Sequence, residues 1–264
     1  MKTIRAELET TVLGPEHSGV TGRPSLFTRA VRRLFEWYTV ILFKVYCPLT
    51  VIGRDRLPQS SFVFCANHNS HMDSAVLMIA ANRGFNTFGM MAAKDYFFEN
   101  TVRKYFMTLF MNLVPVERKR KDRKAMIEGL AACREFMKDG RRSLIIYPEG
   151  TRSRTGKIAS FKKGPAMIAT ELGVPVAPAF IKGTQEAWPK GRKLIRPTRI
   201  VCYIGDALQP ASYLDEENSG EAGETANFGM YKRMTAELEQ SVRDLETQCR
   251  GQSEKPEYEK RRVG

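Results

Sequence analysis

The chain has 264 residues, of which 42% are apolar, so it is long enough to bury a sizeable core in one or two domains. Its 42 lysines and arginines exceed its 29 aspartates and glutamates. The resulting net charge of +13 indicates a polyanionic partner: nucleic acid, an anionic membrane surface or a phosphorylated substrate. The five scattered cysteines contain no C-x-x-C pair, which argues against a disulfide framework or a zinc site and is typical of a reducing compartment.

The N-terminal part of the chain predicts a loose segment followed by one helix. Residues 1–24 carry no secretory signal and are expected to be loosely ordered. Residues 25–47 combine arginines in the first half with an almost wholly apolar second half around Trp37. This pattern is typical of a helix lying in the membrane interface, and a helix that merely covers the core is the alternative. No stretch reaches about 18 uncharged apolar residues, so a transmembrane helix is not expected.

Strands and helices alternate along residues 48–249, which we interpret as one catalytic domain. Apolar runs predict strands over 62–66, 87–93, 112–117, 144–147, 174–181 and 198–204. Apolar residues at helical spacing predict helices from near Ser70, over 96–110, from the basic run 118–124 to Gly140, over 166–172 and around 234–245. This order predicts an α/β fold with a mixed, largely parallel central sheet flanked by helices. The charged tail, residues 250–264, is expected to be disordered.

The most informative segment is residues 67–73 (NHNSHMD), which follows the first buried strand. An aspartate that accepts from one ring nitrogen of a histidine leaves the other nitrogen free to take a proton, so His68 and Asp73 are candidates for a general base and its orienting group. A buried pair that only stabilises the fold is the alternative. A metal set of His68, His71 and Asp73 lacks the two-histidine helix with glutamate of zinc hydrolases, and no metal is expected.

A second segment, residues 147–153 (YPEGTRS), follows another predicted strand. Gly150 allows a tight turn, and Glu149 and Arg152 stand on the same loop. An arginine can bind a phosphate through two parallel hydrogen bonds, so this loop is a candidate site for a polar head group. The alternative is an exposed Glu–Arg salt bridge, which contributes little.

Together the segments resemble the conserved blocks of the glycerolipid acyltransferases. Residues 67–73 match the block N-H-x-S-x-x-D, and residues 147–153 match F-P-E-G-T-R-S with a tyrosine in place of the phenylalanine. Residues 114–118 (VPVER) stand where that family has a short strand ending in arginine, and residues 174–179 (VPVAPA) resemble its fourth block. Four blocks in the right order over residues 51–205 resemble 1-acylglycerol-3-phosphate acyltransferases and related lysophospholipid acyltransferases.

The resemblance implies a role for each matched residue. His68 would deprotonate a glycerol hydroxyl, and Asp73 would orient His68. Backbone N–H groups near Gly150 would stabilise the oxyanion of the tetrahedral state. The remaining candidates would bind the glycerol phosphate of the acceptor: Glu149, Gly150, Thr151, Arg152, Arg118 and, more weakly, Lys94. No cofactor is implied, since an acyl-CoA or acyl carrier protein thioester serves as co-substrate.

The implied reaction is transfer of a fatty acyl group to lysophosphatidic acid, giving phosphatidic acid at the cytoplasmic face of a membrane, with peripheral or monotopic attachment. Lyso-ornithine lipid, lysophosphatidylethanolamine and glycerol 3-phosphate are alternative acceptors.

A nucleic-acid-binding protein is the non-enzyme alternative, but the basic residues are dispersed, so no nucleic acid is expected. An inactive membrane-binding relative is a further alternative. The apolar stretch 97–110 could line an acyl tunnel or belong to the core, and the basic run 118–124 could be a docking surface or a solvated turn.

Overall fold

A seven-stranded sheet forms the centre of the protein. The computed structural model describes residues 4–14, 24–93, 108–116, 122–189, 191–213 and 224–254. The strands are β1 (Leu49–Ile52), β2 (Val63–Ala66), β3 (Phe88–Ala93), β4 (Asn112–Val116), β5 (Ser143–Ile146), β6 (Val176–Lys182) and β7 (Ile200–Ile204). They lie in the order β1-β7-β6-β2-β5-β3-β4, and β6–β7 is the one antiparallel pair among the described strands. The predicted mixed, largely parallel α/β sheet is therefore confirmed.

Helices cover both faces of this sheet. They are α1 (Ile4–Thr10), α2 (Leu26–Ile41), α3 (Asp73–Ala81), α4 (Arg123–Met137), α5 (Gly164–Leu172), α6 (Thr184–Ala187) and α7 (Glu224–Glu254). A π-helical turn, Leu42–Tyr46, continues α2. Side chains from α1, α4, α5 and α7 form one hydrophobic cluster, and side chains from the π-helical turn and α3 form a second, with α2 packed against it. A third, smaller cluster lies between α7 and strands β6 and β7.

Strand β2 lies between the first and the second cluster, which explains its unbroken apolar sequence. All four of its residues are buried. Val63 and Cys65 point into the cluster beneath α4 and α5, while Phe64 and Ala66 point into the cluster beneath α3. A strand covered on both faces needs apolar residues at every position rather than at alternate ones.

The register of the sheet brings two sequence-distant loops together. Strand β2 is flanked by β5 and β6, and all three run in the same direction. Cys65 pairs with Ile146 on one side and Pro178 on the other, so these strands end at the same edge. Ligands of open parallel sheets bind at this carboxyl edge, and both motif segments begin there.

Both ends of the chain differ from their predictions. Residues 4–10, expected to be loosely ordered, form α1, because Ile4 and Leu8 are one helical turn apart and are buried against the core. Residues 250–254, expected to be disordered, complete α7.

The predicted helix over 96–110 and the basic run 118–124 lie mostly outside the described residues. In the described part of the chain, no helix is both long and apolar enough to span a bilayer.

Candidate active site

His68 and Asp73 form a hydrogen-bonded pair at the carboxyl edge of the sheet. Nδ1 of His68 lies 2.9 Å from Oδ2 of Asp73, and the histidine side chain is 19% exposed whereas the aspartate is fully buried. The same oxygen accepts the backbone N–H groups of Asn69 at 2.7 Å and Ser70 at 2.8 Å. Asp73 is also the first residue of α3, where the helix dipole favours a negative charge.

This arrangement sets the tautomer of His68. A carboxylate is an acceptor only, so Nδ1 carries the hydrogen and donates it to Asp73. The second nitrogen, Nε2, is then left with its lone pair and can take a proton from a hydroxyl. The geometry is therefore that of a general base held by a buried acceptor.

The ring of Tyr147 lies flat against the imidazole of His68. The two ring centroids are 3.7 Å apart and the planes differ by 9°. The hydroxyl of Tyr147 bonds Oγ of Ser74 at 2.8 Å, which fixes the ring. Burial raises the pKa of Tyr147 well above its usual value, so the phenol stays neutral and acts as a platform rather than as an acid or base.

Three further hydrogen bonds hold the backbone around His68. The side chain of Asn67 donates to the carbonyl of Ile181 at 2.9 Å and accepts the N–H of Ile181 at 2.7 Å, which extends the pairing of β2 with β6. The carbonyl of His68 accepts the N–H of Ser153 at 2.7 Å. The imidazole is thus attached to the sheet on one side and to the second motif on the other.

Glu149 has a structural role that the resemblance did not imply. Its side chain is buried, and its two oxygens accept the N–H groups of His68 at 2.8 Å and Ala159 at 3.0 Å. Burial raises the pKa of this carboxyl, while the two amide donors oppose that change. These two bonds show that Glu149 positions the loop of His68, while its binding of the acceptor stays a prediction.

Gly150 forms the tight turn that the sequence predicted. Its φ of +73° is in the left-handed region that favours glycine, and its N–H donates to the carbonyl of Tyr147 at 3.0 Å. That N–H is occupied by the turn, so another backbone N–H near Gly150 would have to serve as the predicted oxyanion donor. A Cβ at this position would lie 2.6 Å from Nζ of Lys162, which places a second cation beside the motif. Nothing in the sequence patterns pointed to Lys162.

Arg152, on the loop of the second motif, contacts the loop of the first motif. Its guanidinium Nη1 contacts Nε2 of His71, and the ring of His71 lies 5.5 Å from that of Trp188. Since His68 bonds Asp73 and His71 bonds Arg152, the two histidines do not converge on one metal position. The described residues contain no group of three metal-ligating side chains.

The remaining candidates are less constrained. Thr151 is exposed on the same turn. Lys94 and Arg118 lie outside the described residues. Ser70, near which the helix was predicted to begin, precedes its start by three residues. Its hydroxyl donates to the carbonyl of Trp188 at 2.7 Å and accepts the N–H of Met72.

The sequence profile of the family described as Acyltransferase matches residues 48–182, just over half of the chain. The chain belongs to the acyltransferase family. The matched range begins just before β1, ends with β6 and contains both motif segments, so the sheet edge described above is the family's shared part.

Relatives of this acyltransferase agree with the assignment. It is 32% identical to the chloroplastic 1-acyl-sn-glycerol-3-phosphate acyltransferase BAT2 of Brassica napus, over 79% of this chain and 61% of the relative. It is 31% identical to the chloroplastic LPAT1 of Arabidopsis thaliana, over 59% of this chain and 41% of the relative. The chain thus spans only about half the length of these curated relatives.

A solved structure also matches. The crystal structure of the 1-acyl-sn-glycerophosphate acyltransferase PlsC from Thermotoga maritima superposes with a TM-score of 0.54 at 31% identity, covering 80% of both chains. The similarity therefore extends beyond the motif blocks to the α/β fold.

The positioning role of Glu149 can be tested by substitution. Glu149→Ala removes the acceptor of two backbone amides, and we expect a loss of about 1–3 kcal/mol in the free energy of unfolding. Turnover should fall because His68 is displaced, while the KM of the acceptor changes little. Glu186→Gln, at an exposed glutamate of α6, is the control. A variant with normal kcat and a strongly raised acceptor KM would instead show that Glu149 binds the acceptor.

The stacked ring of Tyr147 makes a separate prediction. The face of an aromatic ring attracts a cation, so it should stabilise the imidazolium formed during proton transfer. Tyr147→Leu should lower kcat/KM by up to about tenfold, whereas Tyr147→Phe keeps the ring and should stay close to wild type. Equal kcat/KM values for the two variants would show that the ring face does not matter.

Proposed function

We propose that this chain is an O-acyltransferase that moves a fatty acyl group from a thioester to the free hydroxyl of lysophosphatidic acid, giving phosphatidic acid. The observation that carries the proposal is the bond from His68 to the buried Asp73, which leaves Nε2 of His68 as the proton acceptor. The relatives named above are 1-acylglycerol-3-phosphate acyltransferases, which supports this acceptor.

The reaction follows from this geometry. Nε2 of His68 takes the proton of the glycerol hydroxyl as its oxygen attacks the thioester carbonyl carbon, and Asp73 stabilises the imidazolium that forms. The tetrahedral intermediate then collapses, the carbon–sulfur bond breaks, and the imidazolium returns its proton to the leaving thiolate. The products are the ester and a free thiol, so His68 ends the cycle neutral.

Direct transfer, without an acyl-enzyme, is favoured by the state of the cysteines. All five are buried, and none is disulfide-bonded. Burial raises the pKa of Cys65, Cys133 and Cys202, so their thiols stay protonated and are poor nucleophiles. The donor is acyl-CoA or an acyl carrier protein thioester, and no cofactor takes part.

The acceptor's phosphate would bind beside the general base. Arg152 and Lys162 bring two cations to the turn of Gly150, and Arg152 touches the loop that carries His68. A guanidinium and an ammonium suit a phosphate dianion. Thr151, Arg118 and Lys94 are proposed to complete this site on the basis of the family resemblance.

The central test is acyl transfer by purified protein in detergent. We would offer acyl-CoA and acyl carrier protein thioesters with lysophosphatidic acid, monoacylglycerol and the alternative lyso-lipids. His68→Ala should lower turnover with lysophosphatidic acid by about 10²- to 10⁴-fold, as expected for loss of a general base. His17→Ala, a histidine outside both motifs, is the matched control, and unfolding curves would establish that each variant is folded.

Other outcomes would change the proposal in defined ways. Equal rates with lysophosphatidic acid and phosphate-free monoacylglycerol would contradict the phosphate site. Product from another lyso-lipid alone would keep the mechanism and replace the acceptor. Full activity in His68→Ala would overturn the mechanism, and salt-dependent retention on DNA without any transfer would favour a nucleic-acid-binding protein.

We also propose that α2 attaches the enzyme to the cytoplasmic face of a membrane. Large apolar side chains stand exposed along one side of α2 and the π-helical turn: Leu26, Phe27, Leu34, Trp37, Tyr38, Val40, Ile41, Val45 and Tyr46. Exposed fractions of 65% for Trp37 and 76% for Val45 are unfavourable in water and suit the interface of a bilayer.

The opposite side of α2 is fixed to the protein body. Arg32 is buried and donates to the side chains of Asn86 and Asn112 and to the carbonyls of Thr108 and Met111. Burial lowers the pKa of this guanidinium. Phe35 packs edge-on against the rings of Phe85 and Phe110 on the same side. The apolar side is therefore held outward, in a fixed direction.

Membrane attachment predicts a partition that depends on the exposed side of α2. Trp37→Ser with Ile41→Ser should weaken binding to neutral phosphatidylcholine vesicles by about a hundredfold or more, since two large apolar groups no longer leave water. Val12→Ser replaces an even more exposed apolar side chain outside α2 and is the control. Flotation with vesicles would measure the bound fraction. Equal partition of the two variants would mean that α2 is not the attachment.

A further inference from the structure

A basic loop, defined here as residues 188–189 and 191–199, lies between α6 and β7. It contains no aspartate or glutamate. Four of its basic side chains are exposed: Arg192, Lys193, Arg196 and Arg199. Leu194 stands among them with 80% of its surface exposed. In the described part of the chain, none of the four cations forms an ion pair with a carboxylate.

Hydrogen bonds hold the basic loop in a defined conformation. The N–H of Arg196 donates to the carbonyl of Ala187 at 2.9 Å, so the two ends of the loop meet. The indole Nε1 of Trp188 donates to the carbonyl of Arg192 at 2.7 Å, which braces the loop from inside. Compact surface loops whose ends lie close together frequently carry function.

The position of the basic loop connects the proposed membrane helix to the site. On one side, the hydroxyl of Tyr46 donates to the carbonyl of Ile195 at 3.2 Å, and Sγ of Cys47 donates to the carbonyl of Arg196 at 3.4 Å. On the other side, the carbonyl of Trp188 accepts the hydroxyl of Ser70 in the first motif. The exposed apolar side of α2 thus continues into the basic loop, which continues into the site.

We propose that the basic loop is a second membrane contact that binds the head groups of anionic lipids, with Leu194 entering the interface beside α2. The inference rests on the proposed attachment through α2. Cations next to exposed apolar side chains match an anionic bilayer, which offers phosphates at its surface and an apolar layer beneath. A docking site for an acidic carrier protein would need the same charges but leaves the exposed leucine next to the apolar helix without a reason.

This second contact would orient the enzyme as well as bind it. A protein held by one helix can rotate about the axis of that helix on a bilayer. Two separate contacts, one through the helix and one through the loop, fix the plane in which the protein meets the membrane. Because Trp188 of the basic loop bonds Ser70 and contacts His71, that plane passes next to the entrance of the site. A lipid acceptor could then reach His68 without leaving the membrane surface.

The test compares two charge-neutralising double variants of the full chain. Lys193→Gln with Arg196→Gln changes the basic loop. Lys138→Gln with Arg141→Gln removes the same charge from the turn before β5, at the opposite edge of the sheet from the site. Binding would be measured by flotation with phosphatidylcholine vesicles, with and without phosphatidylglycerol. Activity in detergent and unfolding curves would show that all variants are folded.

We expect the loop variant to lose about fivefold per removed charge, hence about 25-fold, on the anionic vesicles only, and the control variant to stay near wild type. The difference should shrink as salt is added, because the charges act over a Debye length of about 10 Å at 0.1 M. Leu194→Ser should weaken binding to both kinds of vesicle.

Several results would overturn the proposal. Equal partition of the two double variants would do so, as would a raised KM for acyl carrier protein thioester with unchanged vesicle binding. Wild-type protein that floats with neither vesicle would reject both α2 and the basic loop as membrane contacts. Binding to neutral vesicles without any gain from phosphatidylglycerol would keep the attachment through α2 and reject the loop alone.

Discussion

The geometry of the site depends on one buried oxygen, Oδ2 of Asp73. It accepts the ring N–H of His68 and two backbone N–H groups from the loop between β2 and α3. These three bonds draw the loop back onto the first turn of α3, and because Asp73 is fully buried, water cannot replace them. The same loop carries Ser70 and His71, so its contacts with Trp188 and Arg152 also depend on this oxygen.

The second motif supports this arrangement from a neighbouring strand. Because β2 and β5 pair in parallel and end at the same edge, Glu149 can accept the N–H of His68 although the two residues are 81 positions apart. One short loop therefore combines two tasks. Glu149 faces inward and fixes the base, while Arg152 faces the rim, where a charged head group would bind.

The proposed reaction joins a thioester to a lipid hydroxyl, and the layout of the protein fits both substrates. The base is mostly buried, with 19% of its side chain exposed, which limits the access of water to the reacting atoms. Cations lie around it at the turn of Gly150 and in the basic loop. The exposed apolar side of α2 adjoins the basic loop on the side away from the first motif. The candidate site, the basic loop and the apolar side of α2 therefore follow one another across the protein surface.

Local features of this site could be derived from the sequence. His68 and Asp73 are five residues apart across one strand-to-helix turn, so their contact depends on the chain between them. The buried strands were predicted from their apolar runs, and the alternation of strands and helices predicted the α/β sheet. The edge strand β1 was missed, because it is four residues long and only partly buried. Helix α1 was missed because its support comes from α4, more than a hundred residues away.

Other features were decided by the tertiary structure. No sequence pattern indicated that Glu149 would bond two amides, that the N–H of Gly150 would be occupied, or that Tyr147 would stack on His68. Nor did any pattern bring Lys162 to the turn or join the basic loop to α2. The sequence by itself determined which residue types stand next to each strand end. Which of those residues meet depended on the order of the strands, because a polar side chain bonds the nearest available partner in space.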